Sequence, residues 1–179
     1  MTNEEARTWA SRLLSPDDSS LYPQVPAPGH ASLRYEFERE PGHRLFYLAR
    51  EVVRALGPFH DCLLWATETG VWPSNENLHL YYRLRNSYGD HHTVEERPGT
   101  LVLEHEAVDL VSFVHLGMLF GWDMLLLTSH DYGRVFVSHD GWFELSEITP
   151  TVIRSLREGP SDVTGRQAPN GTTGDKGAA

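Results

Sequence analysis

The sequence predicts an α+β fold, with helices packed on a small, mostly antiparallel sheet in a single domain. Segments of helical period alternate with short strand-like runs, and the last three of these runs follow one another between turn residues, as in an antiparallel meander. A chain of 179 residues is long enough to bury one core. We therefore expect a globular domain over 31–158, preceded by a helix and proline-rich arm over 1–30 and followed by a disordered tail over 159–179.

The first half of the chain predicts two helices and two strands. Thr2 or Asn3 suits the N-cap of the first helix, whose first turn is acidic. Charged and apolar residues alternate over 32–39, which is typical of a half-exposed edge strand. The second helix is ended by Gly57 and directs Glu51 away from its apolar face. The expected order is helix 4–14, loop 15–29, strand 32–39, helix 43–56 and an apolar central strand 61–67.

The second half predicts three further helices and a meander of three strands. The helix over 104–120 is apolar almost all round, so we expect it to be buried in the centre of the domain. Residues 101–103 form either a short strand or the start of that helix. A helical segment separates strand 61–67 from the meander, which leaves a parallel pairing of that strand open. The remaining elements are helix 74–88, strands 122–128, 134–138 and 142–145, and a helix from 149 or 150 to 158.

The charged residues restrict the chemistry. The net charge is −10, which disfavours nucleic-acid binding and favours a basic partner, although it also serves simple solubility. The chain has one lysine, Lys176, which lies in the predicted tail. The folded part therefore cannot supply the amine of a Schiff base, a phosphate-loop lysine or a Ser–Lys pair.

Composition also bears on location and cofactors. No apolar run approaches the roughly 20 residues that cross a bilayer, and the polar, acidic start lacks the character of a secretory signal. A single cysteine, Cys62, excludes an internal disulfide. We expect a cytoplasmic protein. Neither a dinucleotide fingerprint nor a phosphate loop is present, so no cofactor is expected.

Three of the ten histidines stand directly before an aspartate. Imidazoles and carboxylates together can hold a divalent ion that activates water, so one hypothesis is a small metal-dependent hydrolase. The alternative is that these are turn residues, with each aspartate bonding its own backbone. The candidate ligands come from the two pairs that fall in turns between strands: His130, Asp131, His139 and Asp140.

Two other features of the sequence, a polar stripe on one helix and a single cysteine, are compatible with a nucleophilic catalytic residue. His105, Asp109, Ser112 and His115 are spaced to share one face of the helix over 104–120. One helix cannot easily place a nucleophile, a base and an orienting group around one substrate atom, so a solvent-facing edge is favoured over a triad or a buried polar network. Cys62 is interpreted as a core residue.

Aromatic residues in loops suggest a recognition surface. Trp72 stands in a loop before a helix, and Trp142 follows a tight turn. Such residues are common anchors for protein partners, although they also cap cores. The candidate binding set joins these two tryptophans to nearby acidic residues: Glu68, Glu76, Asp140 and Glu144.

Two stretches carry a resemblance to known proteins. Residues 63–90 (LLWATETGVWPSNENLHLYYRLRNSYGD) and 121–145 (GWDMLLLTSHDYGRVFVSHDGWFEL) together resemble an uncharacterised group of small bacterial proteins. The second stretch is also similar to the C-terminal part of some toxin-immunity proteins, which are acidic α+β binders that plug a toxin's active site. The resemblance implies a binder. Together with the charge, the absent lysines, the missing motifs and the loop aromatics, it leads to the hypothesis of a non-enzymatic acidic binding domain that neutralises a basic partner such as a toxin. The metal-dependent hydrolase and a subunit of a homo-oligomer are the alternatives.

Overall fold

The structure is a computed structural model that describes residues 1–13, 32–37, 42–69, 78–129 and 133–146. In these residues, six strands form a single sheet. The strand order is β1-β6-β5-β4-β2-β3, and every neighbouring pair is antiparallel. This confirms the predicted α+β class and settles the pairing of β2, which is antiparallel to both of its neighbours. The strands are β1 (Ser32–Glu36), β2 (Asp61–Glu68), β3 (Gly99–Leu103), β4 (Asp123–Thr128), β5 (Arg134–Ser138) and β6 (Trp142–Ser146).

Within the described residues, four α-helices pack on this sheet, and a short 3₁₀ helix (Glu104–Glu106) leads into the last of them. The first helix begins with a capping box, in which the Thr2 hydroxyl accepts from the Glu5 amide (3.2 Å) and the Glu5 carboxylate accepts from the Thr2 amide (2.7 Å). Thr2 is therefore the N-cap, one of the two predicted residues. The helices are α1 (Asn3–Ala10), α2 (Gly42–Ala55), α3 (Leu78–Ser87) and α4 (Ala107–Phe120).

The two faces of the sheet are covered by different helices. On one face, side chains such as Leu64, Leu126 and Phe143 join a large core with α2, α3 and α4. On the other face, Leu63, Trp65 and Leu125 pack with the fully buried alanines of α1. Because successive strand residues point to opposite faces, β2 and β4 must be apolar in nearly every position. This explains the continuous apolar run that predicted a central strand.

Two details of the predicted helices are wrong. The apolar pattern predicted a helix in the centre of the domain whose apolar residues are buried, yet Val108 (78% exposed) and Leu119 (44% exposed) face outward, because α4 lies on one face of the sheet and keeps an outer side. Glu51 was expected to point away from the core, but it is 2% exposed. Its carboxylate lies 3.4 Å from Arg50 Nη2 and 3.7 Å from Arg54 Nη1, which offset the cost of burying the charge.

Several predicted segments lie outside the described residues. These are most of the proline-rich arm, the start of the helix predicted over 74–88, the helix predicted to end at 158, and the C-terminal tail. Within the described residues, 101–103 belong to strand β3, which decides between the two predicted alternatives. No helix of the described part combines the length and the apolar character needed to span a membrane.

Candidate functional site

Polar side chains collect at one end of the sheet, where β2 and β5 end and β4 and β6 begin. Glu68, the last residue of β2, is the register partner of Asp123, the first residue of β4. His139 and Asp140 follow β5 directly. We call these four residues, Glu68, Asp123, His139 and Asp140, the acidic end of the sheet. Antiparallel pairing of β4 with both β2 and β5 brings them together from three separate parts of the chain.

Asp123 is the buried centre of the acidic end, with its side chain 3% exposed. Its Oδ1 accepts from the backbone amide of His139 at 2.7 Å and lies 2.8 Å from His139 Nδ1. On the other side of the imidazole ring, Nε2 lies 3.4 Å from Asp140 Oδ1, on a side chain that is 69% exposed. The ring therefore stands between a buried and an exposed carboxylate.

The turn between β5 and β6 holds His139 in this position. The Asp140 amide donates to Ser138 Oγ (3.2 Å), and the Gly141 amide donates to the Ser138 carbonyl (3.1 Å). Gly141 has a φ of 80°, a left-handed conformation that glycine adopts without strain. Its carbonyl accepts from the Phe37 amide at 2.6 Å, which ties the turn to the end of β1. The turn is thus fixed on both sides.

Three side chains of the acidic end can offer donor atoms to one ion. Glu68, Asp123 and His139 each contribute one such atom, and all of these atoms lie within 4.8 Å of one another. Glu68 is exposed, His139 is half-buried and Asp123 is buried. The backbone beneath them is held by Thr67, whose hydroxyl donates to the Asp123 carbonyl at 3.3 Å.

The predicted metal set is only partly brought together. His139 and Asp140 lie side by side, whereas His130 and Asp131 are outside the described residues. The described residues that flank the second pair in the chain, Ser129 and Gly133, are at the opposite end of β4 and β5 from His139. The partners that the structure places beside His139 are instead Asp123 and Glu68.

Sequence reasoning missed Asp123, although a signal for it exists. Asp123 is the one charged residue of β4 and stands before four apolar residues, Met124 to Leu127. In the β4–β5 hairpin, Met124 pairs with Val137, so Asp123 comes opposite the residues that precede His139. A register assigned to that hairpin from the sequence would have placed the carboxylate next to the imidazole.

Four residues of the predicted binding set are described, and they share this region of the sheet. Besides Glu68 and Asp140, these are Trp142 and Glu144, which are half-buried and alternate on one face of β6. The Trp142 ring lies under the Arg34 guanidinium, 3.7 Å from its centre, and packs against Phe136. Trp72 and Glu76 lie outside the described residues.

The other nucleophile candidates have no reactive arrangement among the described residues. Cys62 is 0% exposed, and burial raises the pKa of its thiol well above the usual range, in keeping with a core residue. The Ser112 hydroxyl donates to the Val108 carbonyl of its own helix at 3.4 Å.

The stripe on α4 is more buried than the solvent-facing edge that was favoured. His105 is exposed, but Asp109, Ser112 and His115 are half-buried. The His115 ring packs edge-on against Phe46 at 5.5 Å, and burial lowers the pKa of this imidazole. The stripe therefore belongs in part to the packing of α4 against α2.

Comparisons with known proteins add no relative: no protein-family model, no curated protein and no solved structure matches this chain.

Proposed function

We propose that this protein is a non-enzymatic, acidic binding domain that docks a basic protein partner at the acidic end of the sheet and the adjoining face of β6. Neutralisation of a basic toxin, as in immunity proteins, is the specific form that we favour. The observation that carries the proposal is the grouping of exposed carboxylates beside a half-buried tryptophan, Trp142. Aromatic anchors ringed by charges are common at protein interfaces.

The charges of this region support a basic partner. Asp140 and Glu68 are exposed. Glu144 is two residues from Trp142 on β6, so the two side chains lie on the same face of the sheet. Arg34, the register partner of Glu144, adds one positive charge to this surface; its guanidinium covers one side of the Trp142 ring, and its Nε lies 3.3 Å from the Glu36 carboxylate. The acidic residues thus keep an excess of negative charge, which adds to the net charge of −10 and accelerates encounter with a cationic protein.

The state of the reactive side chains supports a binding role over a covalent one. The only thiol of the chain is buried and its pKa is raised, so it is a poor nucleophile. The hydroxyl of Ser112 donates to the Val108 carbonyl of its own helix, and no hydrogen bond to an imidazole is found for it within the described residues. Among the described residues, the side-chain hydrogen bonds and ion pairs of His139 are with two carboxylates, those of Asp123 and Asp140, and none is with a serine, threonine or cysteine.

The proposal is tested with a double variant, Asp140→Asn with Glu144→Gln, immobilised beside the wild-type protein to capture partners at low salt. We expect wild type to retain a basic protein, and the double variant to bind the purified partner at least about tenfold more weakly, which corresponds to about 1.4 kcal/mol. The measurement is titration calorimetry at two salt concentrations, and the affinity of wild type should fall as salt rises.

The matched control removes the same two charges elsewhere. Glu95→Gln with Glu104→Gln changes two exposed carboxylates that flank β3, the edge strand farthest from β1 and β6. This control should bind like wild type. Equal weakening in both double variants, or no basic partner at low salt, would contradict the proposal. Light scattering of the purified protein tests the homo-oligomer, for which a stable dimer independent of any partner is expected instead.

A further inference from the structure

We propose that Glu68, Asp123 and His139 form a binding site for one divalent transition-metal ion, with zinc and manganese as the best-suited ions. The inference concerns binding of the ion only, and it does not depend on the proposed protein partner.

The spacing of the donor atoms suits a single ion. Two ligands of one ion at bond lengths of about 2.0–2.2 Å lie roughly 3–4 Å apart. The donor atoms of the three residues lie within 4.8 Å of one another; Asp123 Oδ1 and His139 Nδ1, now hydrogen-bonded at 2.8 Å, would separate slightly around an ion. The exposed Glu68 can change rotamer to bring its carboxylate closer, so the site needs only small side-chain adjustments.

The burial of Asp123 favours a cation in this place. A carboxylate that is 3% exposed is costly unless a positive charge pairs with it. Among the described residues, the partners of Asp123 Oδ1 are the amide and the imidazole of His139, and no arginine reaches it. A divalent ion would balance both the Asp123 and the Glu68 carboxylates and would leave the imidazole neutral, which is the form that binds metals.

The surroundings of His139 fix which nitrogen binds. Nδ1 faces Asp123 Oδ1, which can only accept, so in the free protein Nδ1 carries the ring proton; an ion bound at Nδ1 replaces that hydrogen bond, and the ring proton then moves to Nε2, 3.4 Å from Asp140 Oδ1. Metal-binding imidazoles commonly donate their other N–H to a carboxylate, which sets the tautomer and the ring orientation. Asp140 thus acts as a positioning residue, outside the ligand set.

The donor types select among ions. One imidazole nitrogen with two carboxylates is a mixed set, since imidazole suits zinc and related transition ions whereas carboxylates also suit manganese. Calcium and magnesium prefer oxygen ligands throughout, so they should bind more weakly. Three protein ligands leave the remaining positions of the ion to water.

The site is tested by calorimetric titration of EDTA-treated, dialysed full-length protein with zinc chloride, manganese chloride and magnesium chloride. We expect one equivalent of zinc or manganese to bind, with magnesium at least about tenfold weaker. Glu68→Gln and His139→Gln should each weaken zinc binding by at least about tenfold. Asp123→Asn alters a buried residue, so Glu68→Gln, at an exposed position, is the variant that separates loss of the site from loss of the fold.

The control is Glu104→Gln with His105→Gln, which removes an exposed carboxylate and an exposed imidazole outside the site. It should bind zinc like wild type. Cobalt(II) gives a second readout, because coordination by His139 produces visible absorption that His139→Gln should lose. Binding of zinc and manganese no tighter than magnesium, or wild-type zinc affinity in Glu68→Gln and His139→Gln, would overturn the inference. Asp140 belongs to both tests, so the two proposals are separated by the single variant Glu144→Gln, which should weaken the partner and leave zinc binding at the wild-type level.

Discussion

A buried arginine on α3 shows how single residues hold the end of a helix. The Arg85 side chain is 1% exposed; it bonds Asp90 and donates from Nη1 to the Thr93 carbonyl at 3.4 Å. Asp90 also accepts from the His92 amide at 3.1 Å. Burial alone raises the pKa of Asp90, but the hydrogen bonds from Arg85 and His92 outweigh it and hold that pKa well below its usual range. The ion pair therefore anchors the chain that leaves α3.

This ion pair predicts a pH-dependent mutational effect. A carboxyl with a lowered folded-state pKa stabilises the fold above its unfolded value and loses that contribution as the pH falls toward the folded value. Asp90→Asn leaves the buried guanidinium unpaired, so we expect a loss of about 3 kcal/mol at pH 7. Below roughly pH 4, Asp90 of wild type is protonated in the unfolded chain but still ionised in the folded protein. The difference in the free energy of unfolding between wild type and Asp90→Asn should therefore shrink by about 1.4 kcal/mol for each further pH unit.

Urea denaturation of wild type and Asp90→Asn at pH 7 and pH 3 measures this difference. Glu95→Gln, at an exposed position, is the control and should change stability little at either pH. An equal penalty for Asp90→Asn at both pH values would mean that the carboxylate is not preferentially ionised in the folded protein.

At the scale of elements, the close approach of α4 to β4 depends on a glycine. Gly117 is buried on α4, and a Cβ added there would overlap the Sδ and Cε atoms of Met124 on β4. Met124 is itself 1% exposed and belongs to the main core, so its side chain has little room to move. The helix can therefore lie against the strand only because position 117 lacks a side chain.

We expect Gly117→Ala to destabilise the protein by about 1–2 kcal/mol, because overpacking outweighs a gain of about 1 kcal/mol in helix propensity. In a Met124→Ala background the clash is gone, and the same substitution should become neutral or stabilising. Thermal or urea denaturation of the four proteins in a double-mutant cycle measures the coupling. Additive effects of the two substitutions would argue against the close contact.

At the scale of the whole molecule, the strands in the centre of the sheet are more buried than those at its edges. β4 is buried at all six residues and pairs with β5 and β2, whereas β1 and β3 each pair with one described neighbour. The β3 residues Leu101 and Leu103 remain 39% and 38% exposed. Stability against local opening should therefore decrease outward from β4.

Native-state hydrogen exchange should follow that order. We expect the amides of β4 and β2 to exchange most slowly, near the rate set by global unfolding, and those of β3 and β1 to exchange faster through local opening. Mass spectrometry or NMR of the exchanging protein resolves the strands. Protection of β3 equal to that of β4 would show that another part of the chain, or a second molecule, covers this edge.

The candidate site was partly accessible from the sequence. Glu68, His139 and Asp140 were singled out there, because loop position, charge and residue type are local properties. Asp123 was not, since its importance lies in burial and in a strand register that joins residues far apart in the chain. The same limit explains Glu51, whose burial depends on what packs over α2 and not on the period of the helix.

The sequence by itself determined the class of fold, the types of most elements and the restricted chemistry of a chain with a single lysine, because periodicity, turn residues and composition act over short distances. Only the tertiary structure decided that β2 is antiparallel to both neighbours, that α1 lies on the face opposite the other three described helices, and that an imidazole meets a buried carboxylate at the end of the sheet. These features depend on which distant segments pair, and the free energy of that pairing comes from packing of the whole domain.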